Sequence, residues 1–207
     1  MASLVSPATL AEYTGEPEVT AEMAAAIERA EAIAASRIGC RELRSRSVTE
    51  SIHTTPDQED IRRGLIMNGH YAQPMIHLSD GPARSITSMT FSLGDATHDL
   101  APGARITNTG WAIRYKHPFG FGFTVDMPYI EAVIDVTYKA GWDNEADLPA
   151  GIRQFVIAQS TQIFATPIGG VIKVRLGDNY VDLNPEAIAK QVDQYAEMLD
   201  QWVRVRL

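Results

Sequence analysis

The segment Val136–Phe164, VTYKAGWDNEADLPAGIRQFVIAQSTQIF, joins a strand end, a glycine turn, a polar cap and an amphipathic helix without interruption, and it constrains the fold more than any other stretch. Upstream, Ile130, Ala132, Ile134, Val136 and Tyr138 alternate with Glu131, Asp135 and Thr137, the two-residue period of a half-buried strand, broken only by Val133. Gly141 follows at a position where a chain leaving a sheet needs positive φ. Asp143, Asn144 and Asp147 form a polar turn, and Pro149 sits where a helix tolerates a missing N–H, so the pattern predicts a helix from about Leu148 with Pro149 at its first position. Ile152, Phe155, Val156 and Ile163 then return at helical spacing, and Thr166-Pro167 with Gly169-Gly170 ends the run. Tyr138, Gly141, Trp142 and Pro149 are thus the expected structural turn.

Before this segment the punctuation is first helical and then extended. Ser6-Pro7 predicts a short helix over 7–13 with Gly15 as its stop. Thr20 predicts the cap of a second helix, in which Met23, Ile27, Ala30, Ala34 and Ile38 share a face before Gly39. Arg37, Arg41, Arg44 and Arg46 make a local basic cluster, read as a solvated helix end or as a contact for an acidic partner or phosphate. From about 48 to 138, alternating triplets (Met89, Phe91, Leu93; Trp111, Ile113, Tyr115) and turn residues such as Ser79-Asp80-Gly81-Pro82 predict four to six antiparallel strands.

After the central helix, two extended runs flank Gly177-Asp178-Asn179 as a hairpin or arm. Asn184 and Pro185 open a last helix whose apolar face is Ile188, Val192, Tyr195, Leu199 and Trp202. The expected class is therefore α+β: a bundle of about four helices over residues 1–47 and 139–207, with a large antiparallel β insertion over 48–138.

The chain's 207 residues suffice for one full core, and no apolar run approaches the length of a membrane span. The N-terminus lacks a basic region followed by an apolar one, and the single Cys40 does not suggest a secreted disulfide scaffold, so cytoplasmic synthesis is expected. A net charge of −8 argues against generic nucleic-acid binding, whose affinity comes mainly from Lys and Arg.

Chemistry-bearing motifs fail one by one. His53, His70, His77, His98 and His117 have no metal-ligand spacing among themselves or with Cys40. Gly120-Phe121-Gly122 lacks the third glycine and the following helix of a dinucleotide loop. No nucleophile elbow and no phosphate-cradling lysine loop is present, so neither catalytic residue, cofactor nor metal is expected. Phe119, Phe121 and Phe123, spaced by glycines, would share one face of a strand, either filling a local core or docking on another subunit. The C-terminal stripe reaching Leu199 and Trp202, followed by Arg204 and Arg206, combines residue types found at binding hot spots, against the simpler reading that this helix closes the chain's own core.

The order of these parts resembles the head-tail connector (adaptor) proteins of tailed bacteriophages, prophages and gene-transfer particles. The resemblance rests on PARSITSMTFSLGD, on Tyr138-x-Ala140-Gly141-Trp142 with Leu148-Pro149, on Gly177-Asp178-Asn179-Tyr180 and on the closing Leu199, Trp202 and Arg204. The β region between Arg46 and Ile130 is longer than in the compact helical members. The resemblance implies a virion neck protein without catalysis, assembled in the host cytoplasm as a ring usually of twelve copies. It also implies that the ring docks on a portal protein and receives a stopper or tail-terminator component, while DNA passes through without sequence-specific binding and no membrane is involved. Leu199, Trp202, Arg204 and Arg206 are the residues expected to dock on the portal. A tail-completion subunit and a small cytoplasmic α+β enzyme are the competing expectations.

Overall fold

A computed structural model describes residues 3–54, 75–115, 132–164, 172–176, 179–183 and 185–203. Among the described residues it has four α-helices and antiparallel sheets, an α+β fold with strands between the second and third of these helices. The chain divides into a helical unit, Met1–Arg44 with Trp142–Leu207, and a β unit, Ser45–Gly141.

In the helical unit, α1 (Pro7–Thr14) begins where the Ser6 hydroxyl accepts the Ala8 N–H at 3.2 Å. α2 (Ala21–Ile38) begins where Thr20 Oγ1 accepts the Met23 N–H at 3.3 Å. Its expected face is its buried face: Met23, Ile27, Ala30, Ala34 and Ile38 have no exposed surface. α3 (Ala150–Phe164) is the central helix, packed on α1, α2 and α4 (Pro185–Leu199). Ile152, Phe155 and Val156 are buried, and Ser160 and Thr161 also lie inside because their hydroxyls donate to the carbonyls of Val156 (2.6 Å) and Ile157 (2.9 Å) one turn back. On α4 the buried stripe is Val192, Ala196 and Leu199. Strands β8 (Ile172–Leu176) and β9 (Asn179–Leu183) form the expected hairpin, pairing Leu176 with Asn179. The helix stop at 166–170, the hairpin turn at 177–178 and the cap at Asn184 lie outside the described residues.

The start of α3 differs from the sequence expectation by two residues. Leu148 is extended (φ −64°, ψ 132°), Asn144 caps a separate 3₁₀ turn over Glu145–Asp147, and α3 begins at Ala150. Pro149 precedes the helix and its carbonyl accepts the Arg153 N–H at 3.0 Å. The cause is local: a residue before proline is excluded from the α region, so Leu148 cannot belong to the helix.

In the β unit, β1 (Arg46–Thr54), β7 (Ala132–Ala140), β3 (Ala83–Leu93) and β4 (Ala96–Asp99) lie side by side in that order, all antiparallel. A second sheet has the order β2 (Met75–His77), β6 (Ala112–Arg114), β5 (Arg105–Ile106). The described residues thus hold seven strands in this unit where the pattern predicts four to six, because strands of two or three residues are too short to show an alternation. Met89, Phe91, Ile134, Val136 and Tyr138 from the larger sheet form one core with Ile76, Ile113 and Tyr115 of the smaller sheet and its flank. The opposite face of the larger sheet is rich in hydroxyls, with Thr49 and Thr137 Oγ1 atoms 3.1 Å apart and Ser51 donating to Asp135 at 2.5 Å.

Candidate functional site

Two polar networks and one aromatic contact organise the residues singled out from the sequence. The first network lies in the β unit around Tyr138, whose ring is fully buried. Its hydroxyl donates to the Glu50 carboxylate on β1 and lies 2.7 Å from the Asp80 carbonyl. Glu50 also accepts the Ser79 N–H at 3.0 and 3.1 Å, and Arg46 grips Asp80 with two bonds of 2.9 and 2.5 Å. Burial, and then the neighbouring Glu50, push the Tyr138 phenol well above its ordinary value; burial alone pushes Tyr115 up to about 12. Both phenols therefore stay neutral at physiological pH, and Tyr138 acts as a fixed hydrogen-bond donor holding the Ser79–Pro82 turn against β1 and β7.

Gly141 closes this unit at φ +80°, donating its N–H to the Pro82 carbonyl at 3.0 Å. In the helical unit the next residue, Trp142, is buried; its N–H donates to the Leu43 carbonyl at 2.9 Å. Its ring meets Trp202 edge to face, centroids 6.0 Å apart at an interplanar angle of 82°.

The second network holds the N-terminal segment of the helical unit. Glu31 of α2 accepts the N–H groups of Leu4 (2.6 Å) and Val5 (2.7 Å). Glu145 accepts the Ser6 N–H at 2.8 Å and the Thr9 hydroxyl at 3.0 Å, and Arg153 Nε donates to it at 2.8 Å. Sequence patterning gives Glu145 only the role of an acid near a helix N-terminus and gives Glu31 none, since a carboxylate that receives distant backbone donors has no local signature. The arginine cluster is dispersed: Arg37 pairs with Asp200 at 3.7 Å, Arg44 donates to the Ser3 carbonyl at 3.0 Å, and Arg46 holds Asp80.

Of the four residues expected to dock on a portal, Leu199 is fully buried within the helical unit and Trp202 is half-buried against Trp142. Arg204 and Arg206 lie outside the described residues, as do Phe119, Phe121 and Phe123. Beside α4, an open groove of about 590 Å³ is lined by Ala32, Ile33 and Ser36 of α2, Phe155 and Gln159 of α3, and Val192 and Ala196, with Arg37 and Asp193 also on its wall. Ile33 and Met198 are large apolar side chains left 44% and 45% exposed. Among the described residues, no group of three or more His, Cys, Asp or Glu side chains is placed to hold a metal ion, and no helix is long and apolar enough to cross a membrane.

The fold has a solved counterpart. A chain in a structure described as the virion of a native gene transfer agent particle matches 99% of this chain and 91% of its own length, with a TM-score of 0.50 at 14% identity. The two chains share a fold. Chains from the neck of an empty particle of this kind (C6 symmetry; TM-score 0.49, 13% identity, 99% and 91% covered) and from the neck of a native one (C12 symmetry; 0.44, 15%, 100% and 97%) also match. No protein-family model and no curated protein matches the chain.

Proposed function

We propose that this chain is a structural virion protein, the subunit of a head-tail connector ring that docks on a portal and links it to the next neck or tail component around the DNA channel. The observation that carries the reading is the fold shared, over nearly the whole chain, with a chain of a gene transfer agent virion. The order of sequence motifs, which resembles that of connector proteins, supports the same reading from independent features. The use of polar groups agrees with it: Glu31, Glu50, Asp80 and Glu145 are engaged with internal donors that hold turns and chain segments in place. These are the features of a scaffold rather than of a site that turns over a substrate.

In this reading each copy touches its neighbours through a heterologous contact, which closes into a ring when the rotation between copies divides the circle. DNA passes without being gripped, in keeping with a chain of net charge −8. Portal attachment falls to the end of the chain beyond Val203, because Leu199 and Trp202 are already committed to the helical unit. Deleting the gene in a producing strain tests the role. DNA-filled heads and separate tails, rejoined by added protein, are the expected result; normal particles without the chain would refute it.

A further inference from the structure

The groove beside α4 is apolar along its floor and acidic along one wall. Phe155, Val192 and Ala196 line it below, and Ile33 of α2 stands partly exposed at its rim. On the α4 wall Asp193 is exposed, and Glu197, also exposed, follows one turn later on the same side of the helix. At the end where α2 and α4 both finish, Arg37 reaches across to Asp200 at 3.7 Å, and both side chains remain open to solvent. Three carboxylates thus gather around one guanidinium, an excess that favours a basic occupant.

The chain itself leads a basic segment to this end. Asp200 opens the 3₁₀ turn Asp200–Trp202, and the Val203 N–H donates back to the Asp200 carbonyl at 3.2 Å. Val203 therefore lies one short turn from the Arg37–Asp200 pair, with an extended backbone (φ −64°, ψ 134°) that carries the chain out of the turn. Arg204, Val205, Arg206 and Leu207 follow in sequence; in an extended run such an alternation puts both guanidinium groups on one side and both apolar groups on the other. Four extended residues reach roughly 13 Å. The groove from Arg37 to Ala32 covers five residue steps of helix, about 7.5 Å, so the segment is long enough to lie along it.

We propose that in the free chain residues 204–207 dock in the groove of their own subunit, the two arginines on Asp193 and Asp200 and the apolar pair over Ile33 and Ala196. Tethering at Val203 supplies the effective concentration that so short a segment needs. Ion pairs between exposed groups contribute little, so the contact opens readily and leaves the melting temperature essentially unmoved. The docking stands without the connector reading. Where both hold, the same residues serve the portal, and attachment there begins with their release from the groove.

The test is thiol labelling of the free full chain carrying Ile33→Cys and Cys40→Ser, the latter removing the native thiol, compared with the same chain ending at Val203. At low ionic strength a maleimide should label position 33 about fivefold more slowly in the full chain, and about 0.5 M salt should close most of that gap. Asp193→Asn should narrow it too. Ala25→Cys, exposed two turns further up α2, should label alike in both chains, which separates local cover from a general change of charge or folding. Ser36→Cys, which also lines the groove, repeats the measurement if Ile33→Cys unsettles the helix. Equal rates at position 33 with and without residues 204–207 overturn the proposal. Protection that grows with protein concentration overturns it as well, since it assigns the groove to a second copy. No portal is involved, so neither outcome bears on the connector reading.

Discussion

Trp142 and Trp202, far apart in sequence, meet edge to face with ring centroids 6.0 Å apart, and the contact ties the end of the chain to the residue that re-enters the helical unit after the β strands. The C-terminal stripe therefore serves the subunit's own core at least as far as Trp202. Trp202→Ala should lower stability by about 2 kcal/mol, less than a fully buried aromatic because the ring is half-buried, and the loss should be visible in urea unfolding. Removing only residues 204–207 should leave the melting temperature unchanged while abolishing attachment to portal.

Gly141→Val should cost on the order of 1 to 3 kcal/mol, because a β-branched side chain is strained at φ +80°. Gly141→Asn, which tolerates the left-handed region, should lose less. Equal losses in the two variants, measured by chemical denaturation, would mean that the backbone angle is not the cause.

Tyr138→Phe leaves the ring in place and removes one hydroxyl. The Glu50 carboxylate and the Asp80 carbonyl lose a donor in a partly buried site, so the expected loss is about 1 to 3 kcal/mol. Hydrogen exchange should quicken at the Ser79 amide, which Glu50 also holds.

The α+β class and the strands between helices were legible because long amphipathic elements repeat their period often enough to be read. Met23 to Ile38 on α2 and Ile134 to Tyr138 on β7 are examples, and both runs are buried as the spacing requires. The start of α3 lies two residues after the expected Leu148, because the proline that marks a helix start also keeps the residue before it out of the α region. The carboxylate networks were not legible at all. Apart from Arg153, the donors that Glu31 and Glu145 meet lie 26 to 139 residues away, and such pairings carry no period and no motif.

Glu31 gives a pH dependence with a definite sign. Burial raises its carboxyl above the ordinary value of 4.5; the N–H groups of Val5 and Leu4 and the charge of Arg44 pull it back only in part, and Glu28 adds to the rise. The folded chain thus holds this proton more tightly than the unfolded chain. The resulting stabilisation is fully present below the unfolded value and is lost as pH rises through the folded one. Glu31→Gln, which keeps an oxygen acceptor for the N–H groups, should flatten the fall in melting temperature in the window just above pH 4.5. A wild-type profile parallel to that of the variant would show that the carboxyl is not desolvated in the folded chain.

The most direct measurement is the mass of the complex formed when the purified chain is mixed with a cognate portal ring, by native mass spectrometry or light scattering. A discrete mass equal to one portal ring plus a full ring of this chain, twelve copies being expected, would be the signature of a connector. No mass increase at high protein concentration, with the chain folded and the portal intact, would contradict it.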